Sequence, residues 1–396
     1  NGEIKLPKNM LEKITKIFSK HLSSYNEDWT QIDKMLTNLM SKQFRKKFSH
    51  KDSCWKFTWY CLDHLNFEYN PRRRTLGHHS IFDYYNSIIK NSDYGDDIQW
   101  HFHPSTTHND AHYCSTSYFR TPLIFDILTR KIIERNFFPS SFRAGFQTER
   151  PDSHWFLEQW IPFDISNMSK DRNHLNKYLD FKNGRGPNWK NAPNDWSVYH
   201  PSHDDYQKIG NCRRWIGRAL NIMNRVASIS QNEVDRAFLK AKKDNSPVLL
   251  GLASHDWRNI ETEVDYSYNL IKKASKKYPD VSYEFCNVDD GFRKVLWPGG
   301  IKEKKLKLKI KYNKATKNDV PNLVIETKQG KVFGPQPFLA IKTKSRNFIY
   351  DNLDFISENK WGYAFYENTL MQDEIDEIVV AANDKYGNTS IERFKF

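Results

Sequence analysis

The chain has 396 residues, enough for two domains, and its 38% apolar and 15% aromatic content supports a large packed core. Its 61 Lys and Arg exceed its 48 Asp and Glu, a formal net charge of +13 that suits an acidic partner. There is no basic helix, zinc finger or RNA-binding signature, and no apolar run near the roughly 18–20 residues of a membrane span. The expectation is therefore no nucleic acid and no membrane span.

In chain order, Met10 to Leu22 carries apolar residues at helical spacing, and Trp29 to Phe48 repeats the pattern after a start signal at Asn26-Glu27-Asp28. Phe57 to Leu62 reads as a buried parallel strand ending at Asp63-His64. Pro71 to Arg74 is a loop and Ile81 to Ile89 a helix. Gly95-Asp96-Asp97-Ile98-Gln99-Trp100-His101-Phe102-His103-Pro104 is a turn followed by a short strand. Residues two apart on a strand share a face, so His101 and His103 point into one pocket. His108 and His112 follow closely. Neutral imidazole is the commonest protein metal ligand, so this stretch reads as a metal site or, in the plainer alternative, a hydrogen-bonded turn.

Leu123 to Arg135 is helical, and Ser141 to Phe146 is another strand end, carrying Arg143. Phe156 to Pro162 is an apolar run that finishes Phe163-Asp164-Ile165-Ser166. Residues 167–200 read as a long loop containing Asp195-Trp196. Trp215 to Val226 has helical spacing, Pro247 to Leu252 is a strand ending Ala253-Ser254-His255-Asp256, Val264 to Lys277 is a helix, and Val281 to Phe285 is a last short strand. Strands and helices alternate, and polar residues gather just after strands. That is the pattern of a parallel α/β barrel with its site at the C-terminal strand ends.

Beyond Trp297-Pro298-Gly299-Gly300 the composition changes. Lys305 to Tyr312 alternates strictly, with lysines outward that blunt a sheet edge. Leu323–Thr327, Phe338–Thr343, Gly362–Tyr366, Ile375–Asn383 and Ser390–Phe394 follow at hairpin-like spacing. Residues 300–396 therefore read as a β-sandwich of immunoglobulin or fibronectin type, without chemistry of its own. The five cysteines form no C-x-x-C pair, which fits reduced thiols, and no signal-peptide pattern opens the chain. The expected location is cytoplasmic.

Residues 55–290 resemble the polysaccharide deacetylases of the NodB-homology superfamily. Gly95 to His101 matches that family's Gly-(His/Asp)-Glu-Ile-x-x-His motif, although Ser105 stands where a second histidine is usual and His103 is its natural substitute. Phe142-Arg143-Ala144-Gly145 resembles the Arg motif, Leu249 to Asp256 the strand ending in His, and Asp195-Trp196, loosely, the Asp/Trp pair. The resemblance implies a distorted (β/α) barrel over residues 1–296, lacking its first strand, because the family's Asp-Asp strand end is not found. It implies removal of an acetyl or other acyl group from an amino sugar or polysaccharide precursor with a divalent metal, zinc first, then nickel, cobalt or manganese. His101 and His103 would be metal ligands, His255 the general acid, and Arg143 and Asp63 further catalytic groups. Asp152, Trp196 and Trp100 would line the sugar site. The alternatives are a non-catalytic carbohydrate-binding protein on the same barrel and a glycoside hydrolase, for which Asp63, Asp152 and Asp164 are the acidic candidates.

Overall fold

The structure is a computed structural model and describes residues 26, 28–64, 78–104, 117–170, 188–223 and 227–396. The expected helix at 10–22, the loop at 71–74, Cys114, His108 and His112 lie outside the described residues.

Two helices open the described chain, α1 (Trp29–Leu39) and α2 (Lys42–Lys47). They break the expected single helix at Met40-Ser41. Ser41 caps α2, its Oγ accepting from Phe44 N at 3.1 Å. A small hairpin follows, β1 (Ser49–His50) with β2 (Ser53–Cys54). The central sheet is built from β3 (Thr58–His64), β4 (Asp97–His103), β5 (Ser141–Ala144), β6 (Phe163–Asn167), β7 (Trp215–Asn221) and β8 (Gly251–Ala253). All five pairings are parallel and the spatial order is the chain order. Parallel strands taken in sequence, each returned by a crossover, give a sheet that curls in one direction. Here it forms a six-strand half-barrel.

Between the strands lie α3 (His78–Lys90), α4 (Leu123–Arg135), α5 (Pro151–Trp160) and α6 (Gln231–Asp244), and after β8 come α7 (Ile260–Lys277) and α8 (Val288–Leu296). The helices α3 to α7 cover the convex face. Trp100, Phe102 and Phe142 alternate outward and pack with Ile124, Leu128, Phe156 and Leu157. The concave face holds Phe163, Ile165, Ala219 and Phe292, and Phe292 of α8 stacks on Phe163 at 4.6 Å between ring centroids.

Two expectations are corrected here. Residues from Trp215 form the strand β7 and not a helix, and residues 281–285 form no strand, while the apolar run from Phe156 begins inside the helix α5. Trp215, Ile216, Ala219 and Leu220 fit both periods, but Arg218 decides the matter. Its outward position lets it pair with Glu233 of α6 at 2.8 Å and lie 4.2 Å over the Trp196 ring.

The remaining residues form two four-stranded antiparallel sheets. One has the order β13 (Asp354–Ser357), β14 (Lys360–Ala364), β10 (Asn322–Gln329), β9 (Lys307–Asn313). The other runs β12 (Phe348–Asp351), β11 (Phe338–Thr343), β15 (Ile375–Asn383), β16 (Thr389–Lys395). Leu308, Leu323 and Ile325 of the first share one core with Leu339, Ile341, Ile378 and Val380 of the second. The second sheet's other face is buried too. Phe338, Ala340, Val379 and Ala381 join the core under α4 and α5. The short strands β12 and β13 carry no signal that the sequence reading used.

Candidate functional site

The C-terminal end of β4 carries the histidines. Parity places Asp97, Gln99, His101 and His103 on the concave face and Trp100 and Phe102 on the convex one. The motif residues before them do structural work at the opposite end of the strand. Asp96 is buried and accepts from Arg45 Nη1 at 3.0 Å and from Phe57 N at 2.8 Å. Gly95 has φ +76°, a conformation that favours glycine.

His101 is buried and its Nδ1 lies 2.6 Å from the Arg143 carbonyl oxygen. A carbonyl only accepts, so Nδ1 carries the proton and Nε2 presents a lone pair. Burial and the Arg143 charge push the imidazole down to about 3, so it is neutral across the physiological range. His103 Nε2 is 3.0 Å from His101 Nε2. The His103 ring is held by Phe146, 4.4 Å away between centroids, and passes over Gly145, where a Cβ would stand 2.5 Å from it. Phe146 and Gln147 both have positive φ, 52° and 55°, so the chain after β5 turns through two consecutive left-handed residues. Such strained turns gather at functional sites.

Two nitrogens each about 2.0–2.1 Å from one tetrahedral zinc ion lie roughly 3.3 Å apart, close to the pair's separation. The His101–His103 spacing fits two positions of a metal site, and the carbonyl on His101 Nδ1 is the support such ligands use. Among the described residues no group of three or more His, Cys, Asp and Glu side chains gathers to complete it.

Arg143 is paired in register with His101 and shares its face. Below them Tyr60 Oη and Ser141 Oγ are hydrogen-bonded at 2.9 Å. At the rim, Gln147 Nε2 donates to Asn221 Oδ1 at 3.3 Å. Gly145, Phe146, Tyr60, Ser141, Gln147 and Asn221 were missed by the sequence reading. Strand parity would have found Tyr60, Ser141 and Asn221, which stand at inward positions beside named ones.

His255 follows β8, at the edge of the sheet away from β3. Its loop comes round to the other edge: Tyr85 Oη of α3 donates to Asp256 Oδ2 at 2.8 Å, and Asn26 Nδ2 to Asp256 O at 2.7 Å. His255 is thus at the same end of the curled sheet as the histidine pair, half-buried against Trp257.

The other candidates are placed elsewhere. Asp63 is on the convex face, where its Oδ2 accepts from Trp100 Nε1 at 2.8 Å and pairs with Lys131 at 3.0 Å. Neither it nor Trp100, which is wholly buried, lines the histidine pocket. Trp196 is buried and donates to Glu233 O at 3.0 Å. Asp152 holds the turn before α4, accepting from Ser117 Oγ at 2.6 Å and Tyr118 N at 2.8 Å. Asp164 faces outward, 3.8 Å from Arg214 Nη2. Cys54, Cys61, Cys212 and Cys286 are free thiols. No helix among the described residues is long and apolar enough to cross a membrane. Comparison with family models, with curated proteins and with solved structures finds no match to this chain.

Proposed function

We propose that the chain is a metal-dependent hydrolase of polysaccharide-deacetylase type, removing an acetyl or other acyl group from an amino sugar or polysaccharide precursor. In this reading the half-barrel is a deacetylase barrel, the paired antiparallel sheets are an immunoglobulin-like sandwich, and the protein works in the cytoplasm. The observation that carries the reading is the His101–His103 pair, Nε2 to Nε2 at 3.0 Å, on the concave C-terminal end of a parallel strand. These two residues would hold a divalent ion, zinc before nickel, cobalt or manganese, which when bound supplies Lewis acidity at the acyl group. Burial, with the Arg143 charge second, keeps His101 unprotonated, and His255 donates the proton that the departing nitrogen needs.

The test measures metal content and acetate release from N-acetylated oligosaccharides on the same samples. His101→Ala loses both metal and turnover. His255→Ala keeps its metal and loses about 10²–10⁴-fold in rate. A parent protein that binds no metal and releases no acetate sinks the reading.

One observation favours a second reading, a non-catalytic carbohydrate-binding protein. Asp63, the acidic candidate nearest in sequence, is tied to Lys131 on the other face and cannot act as base for the pair. Sugar binding without metal or turnover would select it. The glycoside hydrolase alternative loses ground for the same reason, since Asp63, Asp152 and Asp164 are engaged at separate places.

A further inference from the structure

The concave face holds a buried positive charge that no carboxylate among the described residues pairs with. Five arginines among the described residues are buried: Arg45, Arg143, Arg214, Arg218 and Arg258. Four have a carboxylate: Asp96, Glu149, Glu233 and Glu263 respectively. Arg143, only 7% exposed, has neither an ion pair nor a side-chain hydrogen bond among the described residues. Its Nε is sealed from solvent and unbonded. No hydrogen bond of Nη1 or Nη2 is found among the described residues either. A guanidinium stays charged at neutral pH.

An uncompensated buried charge opposes folding, which is why buried arginines are paired. A guanidinium fork matches the two oxygens of a carboxylate or phosphoryl group. A neutral ligand would leave the cost of burying Arg143 standing, whereas an oxyanion removes it on binding.

We propose that Arg143 receives an oxyanion of the ligand that enters beside His101 and His103, which makes that ligand an anionic sugar derivative. The sugar part rests on the function proposed above; the oxyanion does not. The shared chemistry is a planar or tetrahedral group with two oxygens for the fork, carried as a uronic carboxylate or as a phosphate.

The experiment titrates the metal-free full chain with inorganic phosphate and, separately, with D-glucuronate, following the melting temperature and the heat of binding. Sodium chloride holds the ionic strength constant and D-glucose is the neutral control. One of the two anions should raise the melting temperature saturably, and which one it is names the group. Arg143→Lys keeps the charge but loses the fork, and should weaken that anion about tenfold or more. Arg143→Met should abolish the response and, in chloride alone, melt no lower than the parent. Three results overturn the proposal: no response of the parent to either anion, a response that survives in Arg143→Met, or a Met variant that melts well below the parent in chloride. The last would mean that the chain itself supplies a counter-ion. Should Arg143→Met fail to fold, Arg143→Lys decides: undiminished anion affinity there also overturns the proposal. The titration needs neither metal nor turnover, so it can succeed where acetate release fails, and the reverse.

Discussion

The ammonium of Lys131 and the carboxylate of Asp63 are 1% and 3% exposed and 3.0 Å apart, with Trp100 Nε1 also donating to the carboxylate. Lys131 lies over the Phe82 ring, 4.8 Å from its centroid, so no water replaces a lost partner cheaply. Asp63→Asn keeps the shape and removes the charge. Breaking a buried pair from one side costs about 3–5 kcal/mol. The expected outcome is a destabilisation of that order in urea unfolding, with the parent's metal content retained. A stable variant that loses its metal would put Asp63 back in the pocket. The residue was legible as a polar group at a strand end. Its face was not, because the parity of β3 is set by its register, Leu62 opposite His101.

At the scale of the element, β7 is held by what stands just before it. Arg214 is fully buried, 2.8 Å from Glu149 Oε2 and 3.8 Å from both Glu158 Oε1 and Asp164 Oδ2. It thereby ties the start of β7 to α5, to β6 and to the turn after β5. Burial pushes Glu149 well above the usual carboxylate range, and the Arg214 charge opposes that shift. Arg214→Met leaves the acidic groups without a cation. The expected cost is at least about 3–5 kcal/mol, read from equilibrium denaturation. A variant within about 0.5 kcal/mol of the parent, the size of an ordinary surface change, would mean the carboxylates pair otherwise. The helix read at 215–226 failed because apolar spacing there fits both periods. Gly217 shows the strand's demand: a Cβ would meet the Phe292 ring at 2.8 Å on the concave face.

Across the whole molecule, the β15–β16 turn is driven against the N-terminal end of the half-barrel. Arg293 donates to the carbonyls of Tyr386 at 2.8 Å and Gly387 at 3.0 Å, and Asn383 Nδ2 to Pro139 O at 2.7 Å. Gly387, φ +71°, has no room for a Cβ beside Phe163 and Asp289. Asp289 is buried at this junction beside Ser140, and burial, then the Asp97 charge, raises its carboxyl to about 7. The folded state therefore holds a proton that the unfolded chain, with an ordinary carboxyl, has released. Stability from this group is full below the ordinary value and is lost as pH rises through about 7. The slope is at most about 1.4 kcal/mol per pH unit for one proton. Urea midpoints at pH 5 and pH 8 should fall with pH in the parent, and the fall should shrink in Asp289→Asn. An unchanged fall would assign the dependence to other groups.

Patterns of near neighbours were determined by the sequence alone. The helix at Leu123–Arg135 and the strand at Lys307–Asn313 come from periods of 3.6 and 2 that need no partner to be read. The shared face of His101 and His103 is of the same kind, since two residues apart on one strand is a local relation. What faces the pair was decided only in three dimensions. Register put Arg143 beside His101 and turned Asp63 and Trp100 outward, and curling of the sheet brought the His255 loop round to α3. The docking of the second antiparallel sheet on α4 and α5 belongs to the same class. Its strands alternate less because Phe338 to Ile341 are buried on both faces, one toward the other sheet and one toward the helices, and only the packed structure supplies both.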